Sequence, residues 1–354
     1  MRRLSMNSFS YNPIWKQSIP LSKDIMNIIL LAHVQEPRGH VNKMQLQCNE
    51  TERFSIEEFN EIYQGIVSAG YFIQAVYYNE LDFISDYIQH AEYFENSIIY
   101  NLARNGYGDN KKTFIPAFCE LTGLNYTCSS SLSCAFSRNK YYFTNLFRTH
   151  GIPSPESWML TANGEWLTTP PPSGLKVICK PCSESASQGI NESKIFTVTP
   201  DAFQDLIGTQ YIIQEYIDGE ECEVPVFKFR NCVSALSPVG IELNGKCILD
   251  EKASAENNYG FYSLMDTQSS NTINKIKFFA EKAFRLIHMD VYGRIDFRID
   301  SKGIPYVFDI STTPYTTRHS SFAYDFEKMG LQYKDIYETI ISCALSRGNF
   351  EILK

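Results

Sequence analysis

The chain has 354 residues, of which 44% are hydrophobic and 20% are charged, and its formal net charge is -8. This length predicts two or three domains with ample core, and the acidic balance argues against a dedicated nucleic-acid binder, which needs a basic surface. The longest apolar run, residues 28–32, is too short to span a bilayer, and the ten cysteines are scattered as reduced thiols are, so we expect a cytoplasmic protein with no membrane span.

The first part of the chain alternates between strand and helix patterns. After an extension over residues 1–23, the apolar pattern of a buried strand recurs in three segments: residues 26–34, 71–78 and 97–102. Helical spacing also recurs in three segments: residues 55–70, 82–93 and 112–122. Ser55 and Glu58 form a capping-box pattern at the start of the first helix. The alternation predicts a parallel α/β domain over residues 24–130.

The remaining chain contains strands that are separated mostly by short turns. Four helices are predicted: residues 132–150, 199–206, 273–287 and 333–345. Strand patterns occur in five segments: residues 158–161, 175–180, 211–217, 223–229 and 233–243. Short turns favour antiparallel pairing, because parallel strands need a long crossover. We therefore expect two further subdomains with antiparallel sheets, over residues 131–217 and 218–354.

A hairpin near the C-terminal end carries the most informative polar pattern. With a tight turn at Lys302-Gly303, the register predicts these cross-strand pairs: Arg294 with Ser311, Ile295 with Ile310, Asp296 with Asp309, and Phe297 with Phe308. Two opposed carboxylates destabilise a strand pair unless a cation lies between them, and a hard, oxygen-seeking ion such as Mg²⁺ satisfies them. The alternative interpretation is a solvated polar face of a two-stranded ribbon.

Several short motifs follow one another in a specific order. They include Gly123-Leu-Asn-Tyr-Thr, Ser137-Arg-Asn-Lys140, Gly151-Ile-Pro-Ser-Pro, Gln214-Glu-Tyr-Ile-Asp-Gly-Glu-Glu221 and Arg294-Ile-Asp-Phe. In their order and spacing the chain resembles the ATP-grasp ligases, most closely the D-alanine–D-alanine ligase branch. The resemblance implies an α/β (α+β) ATP-grasp fold, in which two antiparallel sheets clamp ATP. It also implies a carboxylate–amine ligase that forms an amide through an acyl phosphate and releases ADP and phosphate.

The resemblance further implies which residues form the site. Those matched to ATP binding are Lys140, Lys180, Ser187, Gln214, Glu215, Tyr216, Ile217, Glu221 and Lys252. Those matched to catalysis are Arg294, Lys252 and Ser320, with Arg294 and Lys252 facing the phosphoryl group and Ser320 holding the carboxylate of the second substrate. Those matched to the metal are Asp296, Asp309 and Ser311, which would hold two Mg²⁺ ions, or Mn²⁺ as the alternative.

The chain departs from the family pattern near the expected substrates. Ala186, Ala253 and Tyr315 replace a serine, a tyrosine and a glycine, respectively. The glycine-rich first loop of the family has no counterpart, and either Glu50 or Glu52 is the candidate to bind the ammonium of the first amino acid. A pair of D-alanines is one possibility, but these departures favour two other amino-acid-like substrates, a carboxylate donor and an amine.

Two other functions stay open at this stage. Asp309 and Ser311 replace the family's glutamate and asparagine, which fits a nucleotide-binding regulatory or scaffold protein with weak or no ligase activity. A ligase with a hydroxyl or thiol acceptor is the second alternative. As partners we expect small molecules, with no nucleic acid and no membrane, and the resemblance implies a homodimer.

Overall fold

The computed structural model describes residues 27–35, 52–204, 206 and 208–347. The predicted extension over residues 1–23 and the candidate Glu50 lie outside these residues. The first sheet has four parallel strands in the order β2-β1-β3-β4: β1 (Asn27–Ala32), β2 (Phe72–Tyr77), β3 (Ser97–Leu102) and β4 (Asn125–Tyr126). Three helices connect them: α1 (Ile56–Ser68), α2 (Glu80–Gln89) and α3 (Phe114–Thr122). The predicted parallel α/β arrangement is confirmed.

Helix α1 begins at the capping box expected from the sequence. The Glu58 backbone N–H donates to Ser55 Oγ at 3.1 Å, and the Ser55 N–H donates to Glu58 Oε2 at 2.8 Å. These two bonds satisfy backbone groups that the first turn of a helix leaves unpaired. The apolar stripe of the helix, which includes Ile62 and Ile66, is buried.

The single long helix predicted over residues 132–150 is wrong. It is divided into α4 (Ser131–Arg138) and α5 (Lys140–Thr149), because Asn139 leaves the helical conformation with φ -92° and ψ 98°. The Asn139 side chain accepts a hydrogen bond from the Tyr142 N–H at 3.2 Å and so caps α5. The break places Arg138 at the end of one helix and Lys140 at the start of the next.

The second sheet is antiparallel, with the order β5-β8-β6-β7. Its strands are β5 (Ser157–Leu160), β6 (Lys176–Pro181), β7 (Ile195–Thr197) and β8 (Tyr211–Glu215). The helix predicted over residues 199–206 is wrong, since residues 200–204 form turns. There the Phe203 ring packs edge-on against Trp166, with the ring centroids 5.0 Å apart, so tertiary packing decides the conformation of this short segment.

The third sheet has six strands and carries most of the site. The strands are β9 (Glu220–Phe229), β10 (Cys232–Ala235), β11 (Val239–Glu242), β12 (Gly260–Ser263), β13 (Tyr292–Ile299) and β14 (Pro305–Ser311). Their order is β12-β11-β9-β13-β14, and β10 pairs with β9. The single strand predicted over residues 233–243 is interrupted at Pro238, which lacks an N–H for the ladder, and forms β10 and β11 instead.

Four further helices complete the described part of the chain: α6 (Glu251–Ala255), α7 (Ser270–Leu286), α8 (Ser321–Lys328) and α9 (Tyr333–Leu345). Helix α7 packs on the six-stranded sheet through Ile276 and Phe284. Helix α9 shares a core with the parallel sheet, which places the end of the described chain beside its beginning. None of the described helices has the length and apolar character needed to cross a membrane.

Candidate active site

The hairpin of β13 and β14 has the predicted register over the site and a different one beyond it. Three pairs are confirmed: Arg294 with Ser311, Ile295 with Ile310, and Asp296 with Asp309. The pairing of Phe297 with Phe308 is wrong, because the register shifts after Asp296 and Phe297 lies opposite Val307. The extra residue of this bulge frees Phe308 from the core face, and its ring lies 4.9 Å from Lys180 Nζ at the edge of a cleft.

Asp296 occupies the centre of a row of three acidic residues on adjacent strands. Its cross-strand partners are Asp309 on β14 and Glu223 on β9. Arg294 donates from Nε and Nη2 to the two carboxylate oxygens of Asp296, both at 2.8 Å, and its Nη1 lies 2.9 Å from Glu223 Oε1. Glu223 was not assigned to the site from the sequence, although its spacing from Glu221 along a strand places both side chains on one face.

Burial and charge act against each other at these carboxyl groups. Burial raises the pKa of Asp296 to about 7, the Glu223 carboxylate acts in the same direction, and the Arg294 guanidinium opposes both. Burial would also raise the pKa of Asp309, but the ammonium groups of Lys140 and Lys180 lower it. Lys140 Nζ lies 3.4 Å from Asp309 Oδ1. Burial lowers the pKa of Lys180 to about 8.

The donor atoms of this face fit a hard cation in kind. Asp296 and Asp309 offer carboxylate oxygens from opposed positions, and Ser311 offers a hydroxyl one pair further along. Arg294 and Lys140 already contact the two carboxylates, so a metal ion would bind beside these cations. No group of three or more His, Cys, Asp or Glu side chains in the described ranges is arranged to hold a metal ion, and Mg²⁺ stays a prediction.

Residues 214–217 at the end of β8 also line the cleft, together with Glu221 and Arg298, which lie on the same face of the six-stranded sheet as Asp296. The Arg298 Nη1 lies 3.5 Å from Glu221 Oε2, while its Nη2 donates to the carbonyl oxygens of Gly219 at 2.9 Å and Cys247 at 3.0 Å. The carbonyl of Cys247 also accepts from the Tyr216 hydroxyl at 3.3 Å. Arg298 was not assigned to the site from the sequence, although it shares a strand face with Arg294.

The small polar loop after β6 bends back over the cleft. Ala186 and Ser187 both have left-handed backbone conformations, with φ of 52° and 54°. Hydrogen bonds hold the loop at three places. Arg138 donates to the Ser183 carbonyl and the Ser185 hydroxyl, and Lys140 Nζ donates to the Glu184 carbonyl at 2.9 Å. The Gly189 N–H donates to Glu251 Oε2 at 3.1 Å. Ser187, which the resemblance matched to ATP binding, therefore lies at the cleft.

Lys252 and Ser320 have different positions relative to the cleft. Lys252, which the resemblance matched to the phosphoryl group, lies on the short helix α6, which Asp250 caps by accepting the Ala253 N–H at 2.8 Å. Its side chain is exposed and does not line the cleft. Ser320 lines the cleft and caps α8, accepting the Ala323 N–H at 3.2 Å and donating to the Thr317 carbonyl at 2.6 Å.

The cleft has a volume of about 740 Å³ and is lined by strand residues of the two antiparallel sheets and by residues outside the strands of the parallel sheet, such as Glu52, Arg104 and Lys112. Of the residues assigned to the site from the sequence, those that line it are Lys140, Lys180, Ser187, Gln214, Glu215, Tyr216, Ile217, Glu221, Arg294, Asp296, Asp309, Ser311 and Ser320. Glu52, one of the two candidates for binding an ammonium, lines it as well, with its Oε2 atom 3.2 Å from Lys111 Nζ.

Comparison with known proteins gives a consistent result. Residues 146–342, more than half of the chain, match the family model described as D-ala D-ala ligase C-terminus. The D-alanine–D-alanine ligase of Cupriavidus metallidurans is 27% identical over an alignment of 237 residues, which covers 64% of this chain and 69% of that protein. The corresponding ligase of Polynucleobacter asymbioticus is 27% identical over an alignment of 240 residues, which covers 65% of this chain and 69% of that protein.

The crystal structure of D-alanine–D-alanine ligase from Bacillus anthracis complexed with ATP superimposes with a TM-score of 0.65. The match covers 90% of this chain and 97% of that one at 19% sequence identity, and it shows that the two chains share their fold. The ATP-grasp fold predicted from the sequence is thereby confirmed.

Proposed function

The chain belongs to the family described as D-ala D-ala ligase C-terminus, and from this premise we propose that it is an ATP-dependent carboxylate–amine ligase acting on amino-acid-like substrates. The relatives that match it are named D-alanine–D-alanine ligases, and the solved neighbour binds ATP. In the proposed reaction the γ-phosphoryl group of ATP passes to a substrate carboxylate. An amine then attacks the acyl phosphate, which releases phosphate and leaves an amide.

One observation carries this proposal: the cations Lys140, Lys180 and Arg294 and the carboxylates of Asp296 and Asp309 line one cleft. A transferring phosphoryl group is stabilised mainly by position and by neighbouring positive charge. Lys180 ends β6 at the base of the polar loop, which suits it to bind phosphate oxygens. We propose that Arg294 stabilises the negative charge that develops during phosphoryl transfer, because Asp296 and Glu223 hold its guanidinium in place from two sides.

Residues 214–217 and Glu221 are suited to binding the nucleoside part of ATP. We propose that residues 214–217 contact the base and that Glu221 accepts hydrogen bonds from the ribose hydroxyls, with Arg298 holding its carboxylate. Asp296, Asp309 and Ser311 are the residues that would hold Mg²⁺, which supplies further neutralisation of the phosphates when it is bound. A homodimer and a cytoplasmic location remain predictions from the sequence.

The proposal is tested with Asp296→Asn, which should abolish ligase turnover while Mg²⁺-ATP still binds. Asp296 lies at the centre of the acidic row, and its charge is needed during transfer more than for holding the nucleotide. Calorimetry measures binding, and ADP release with pairs of amino acids, followed by mass spectrometry, measures turnover and identifies the product. Asp266→Asn, a substitution at an exposed aspartate, is the matched control.

Two results would contradict the proposal. One is a wild-type protein that binds no nucleotide at millimolar Mg²⁺. The other is an Asp296→Asn variant with the wild-type rate of ADP release. A product mass that corresponds to an ester or thioester would instead favour a hydroxyl or thiol acceptor.

A further inference from the structure

One end of the cleft carries two buried cations that the proposed reaction does not use. Arg104 and Lys112 line the cleft with 3% and 6% of their surfaces exposed. Arg138, which is 6% exposed, lies near them. Burial lowers the pKa of Lys112, the charges of Arg104 and Arg138 act in the same direction, and the Glu52 carboxylate opposes them. Buried like charges are costly unless an anion compensates them.

The chain holds Arg104 rigidly at this end. The guanidinium carbon lies 4.7 Å from the centre of the Phe54 ring and 4.4 Å from that of Tyr315, and Nη2 donates to the Thr313 carbonyl at 3.4 Å. The Nε atom is buried without a hydrogen-bond partner among the described residues. Stacking on two rings fixes a charged group whose donors are only partly used.

Lys112 is held just as firmly, through its backbone. It has a left-handed conformation with φ 66°, which few residues other than glycine adopt, and its N–H donates to the Asn105 carbonyl at 2.9 Å. Such conformations are retained where the surrounding structure enforces them, often at ligand sites. The strained backbone keeps the Lys112 side chain at the cleft.

The nearby carboxylates are already engaged with other groups. Glu52 and Glu184 both contact Lys111, at 3.2 Å and 2.6 Å. The Glu58 carboxylate accepts the Ser55 N–H in the cap of α1. Within the described ranges neither Arg104 nor Lys112 lies within ion-pair distance of a carboxylate, although the charge of Glu58 reaches Arg104 and that of Glu52 reaches Lys112. This end of the cleft therefore has an excess of cationic donors that are not paired directly.

This excess bears on the role of Glu52. Burial alone would raise the pKa of Glu52, but the charges of Lys112, Lys111 and Arg138 lower it. A carboxylate neutralised by three cations is a poor site for a substrate ammonium group. The surroundings of Glu52 instead attract an anion.

We propose that Arg104 and Lys112 form a binding site for an anionic group that the first substrate carries in addition to the carboxylate that reacts. This inference rests on the proposed function. The resemblance matches Ser320 to the carboxylate of the second substrate, and Glu52, a candidate contact of the first substrate, lies near Lys112. The expected substrate is an amino acid or acid with a second carboxylate or a phosphate, and D-alanine lacks such a group.

Binding of matched acids tests the site directly. Succinate is compared with propionate, and glutarate with butyrate, because each pair differs by one carboxylate. Calorimetric titrations are made with and without Mg²⁺ and a non-hydrolysable ATP analogue. In at least one pair the dicarboxylate should bind about tenfold more tightly, as expected for a charge-assisted contact. A parallel titration with 3-phosphonopropionate distinguishes a phosphate-type anion from a carboxylate.

Variants then assign the preference to these residues. Lys112→Met and Arg104→Met should each remove most of the tenfold preference and leave the affinity for the monocarboxylate unchanged. Lys112→Arg should keep the preference. Lys275→Met, a substitution on the exposed face of α7, is the control for loss of a positive charge elsewhere.

The wild-type comparison alone can overturn the inference, whatever the variants do. It fails if neither a diacid nor 3-phosphonopropionate binds more tightly than the matched monoacid, if none of them binds at millimolar concentration, or if D-alanine binds more tightly than all of them. In each of these cases binding of the nucleotide analogue would leave the proposed ligase function standing. Absence of nucleotide binding would instead refute that function, and the acid titrations made without nucleotide would still decide whether the anion site exists.

Discussion

The pair formed by Arg298 and Glu221 allows a quantitative test of the residues assigned to nucleoside binding. Both side chains are buried, with 7% and 9% of their surfaces exposed, and they meet at 3.5 Å. Replacing Arg298 with Met removes the largest of the positive charges that compensate Glu221 and leaves the weaker effects of Lys180 and Arg294. We expect the carboxyl group to protonate more readily, because burial penalises its charged form.

The size of the effect follows from the cost of that protonation. At pH 7 it is at most about 3.4 kcal/mol, which is about 1.4 kcal/mol for each pH unit above the usual Glu pKa of 4.5. The part that the raised pKa of Glu221 already costs the wild-type protein is subtracted from this limit. Arg298→Met also removes the donor to the carbonyls of Gly219 and Cys247. We therefore expect the free energy of unfolding to fall by about 3–5 kcal/mol at pH 7.

The same reasoning predicts how the loss depends on pH. Burial raises the pKa of Glu221 even in the wild-type protein, and removing Arg298 raises it further. A carboxyl group with a raised pKa in the folded state stabilises the protein below its unfolded pKa, and this contribution is lost as the pH rises through the folded pKa. The destabilisation by Arg298→Met should therefore shrink by up to about 2.7 kcal/mol between pH 7 and pH 5.

Urea unfolding at pH 5 and pH 7, followed by circular dichroism, measures this difference. Glu221→Gln in the Arg298→Met background should remove the pH-dependent part. Arg285→Met is the control, because Arg285 pairs with Glu281 at the surface with 53% of its side chain exposed, and it should cost at most about 1 kcal/mol. A loss for Arg298→Met that is below about 1 kcal/mol at pH 7, or equal at both pH values, would refute the reasoning.

Three further predictions concern the cleft and its supports. Lys180→Ala should weaken ATP and ADP binding by about ten- to a hundredfold in calorimetry, and unchanged affinities would exclude phosphate contact by Lys180. Gly219→Ala should destabilise the fold by more than about 3 kcal/mol in urea, because a Cβ would lie 1.8 Å from the Ile299 carbonyl oxygen. Gly245→Ala, whose Cβ meets nothing within 4 Å, should cost only about 1–2 kcal/mol, and equal losses would contradict this account. Burial raises the pKa of Asp325 to about 6, so the charged form destabilises the fold above that pH. Asp325→Asn keeps an acceptor for the Ser237 N–H, and it should raise the free energy of unfolding by up to about 3 kcal/mol at pH 8. This stabilisation should disappear below pH 4, and a stabilisation that persists there would point to another cause.

Local features of the fold could be predicted from the sequence because they depend on residues close together in the chain. The capping box at Ser55, the strand Ser97–Leu102 and the helix Tyr333–Leu345 are found where their patterns predicted them. The pairing of Asp296 with Asp309 follows in the same way, from the two-residue period of two strands joined by a short turn. The order of motifs was sufficient to indicate the fold and the class of reaction.

Other features depend on contacts between distant segments. The extra residue in β14 turns Phe308 towards Lys180, although alternation alone predicts that it faces the core. The helix break at Asn139 depends on a cap that a periodic pattern does not reveal, and it brings Arg138 to the polar loop. Packing of whole elements decided these details, because the local preferences involved are weak.

The anion site shows most clearly what the sequence alone determined and what only the tertiary structure decided. The sequence determines that Arg104 and Lys112 are cationic, and a charged residue is by default expected to be solvated. Their burial results from the approach of Phe54 and Tyr315, which lie far apart in the chain, and of the helix end at Arg138. The charge of a side chain is a local property, whereas its desolvation and its neighbours follow from the order of strands and the packing of sheets.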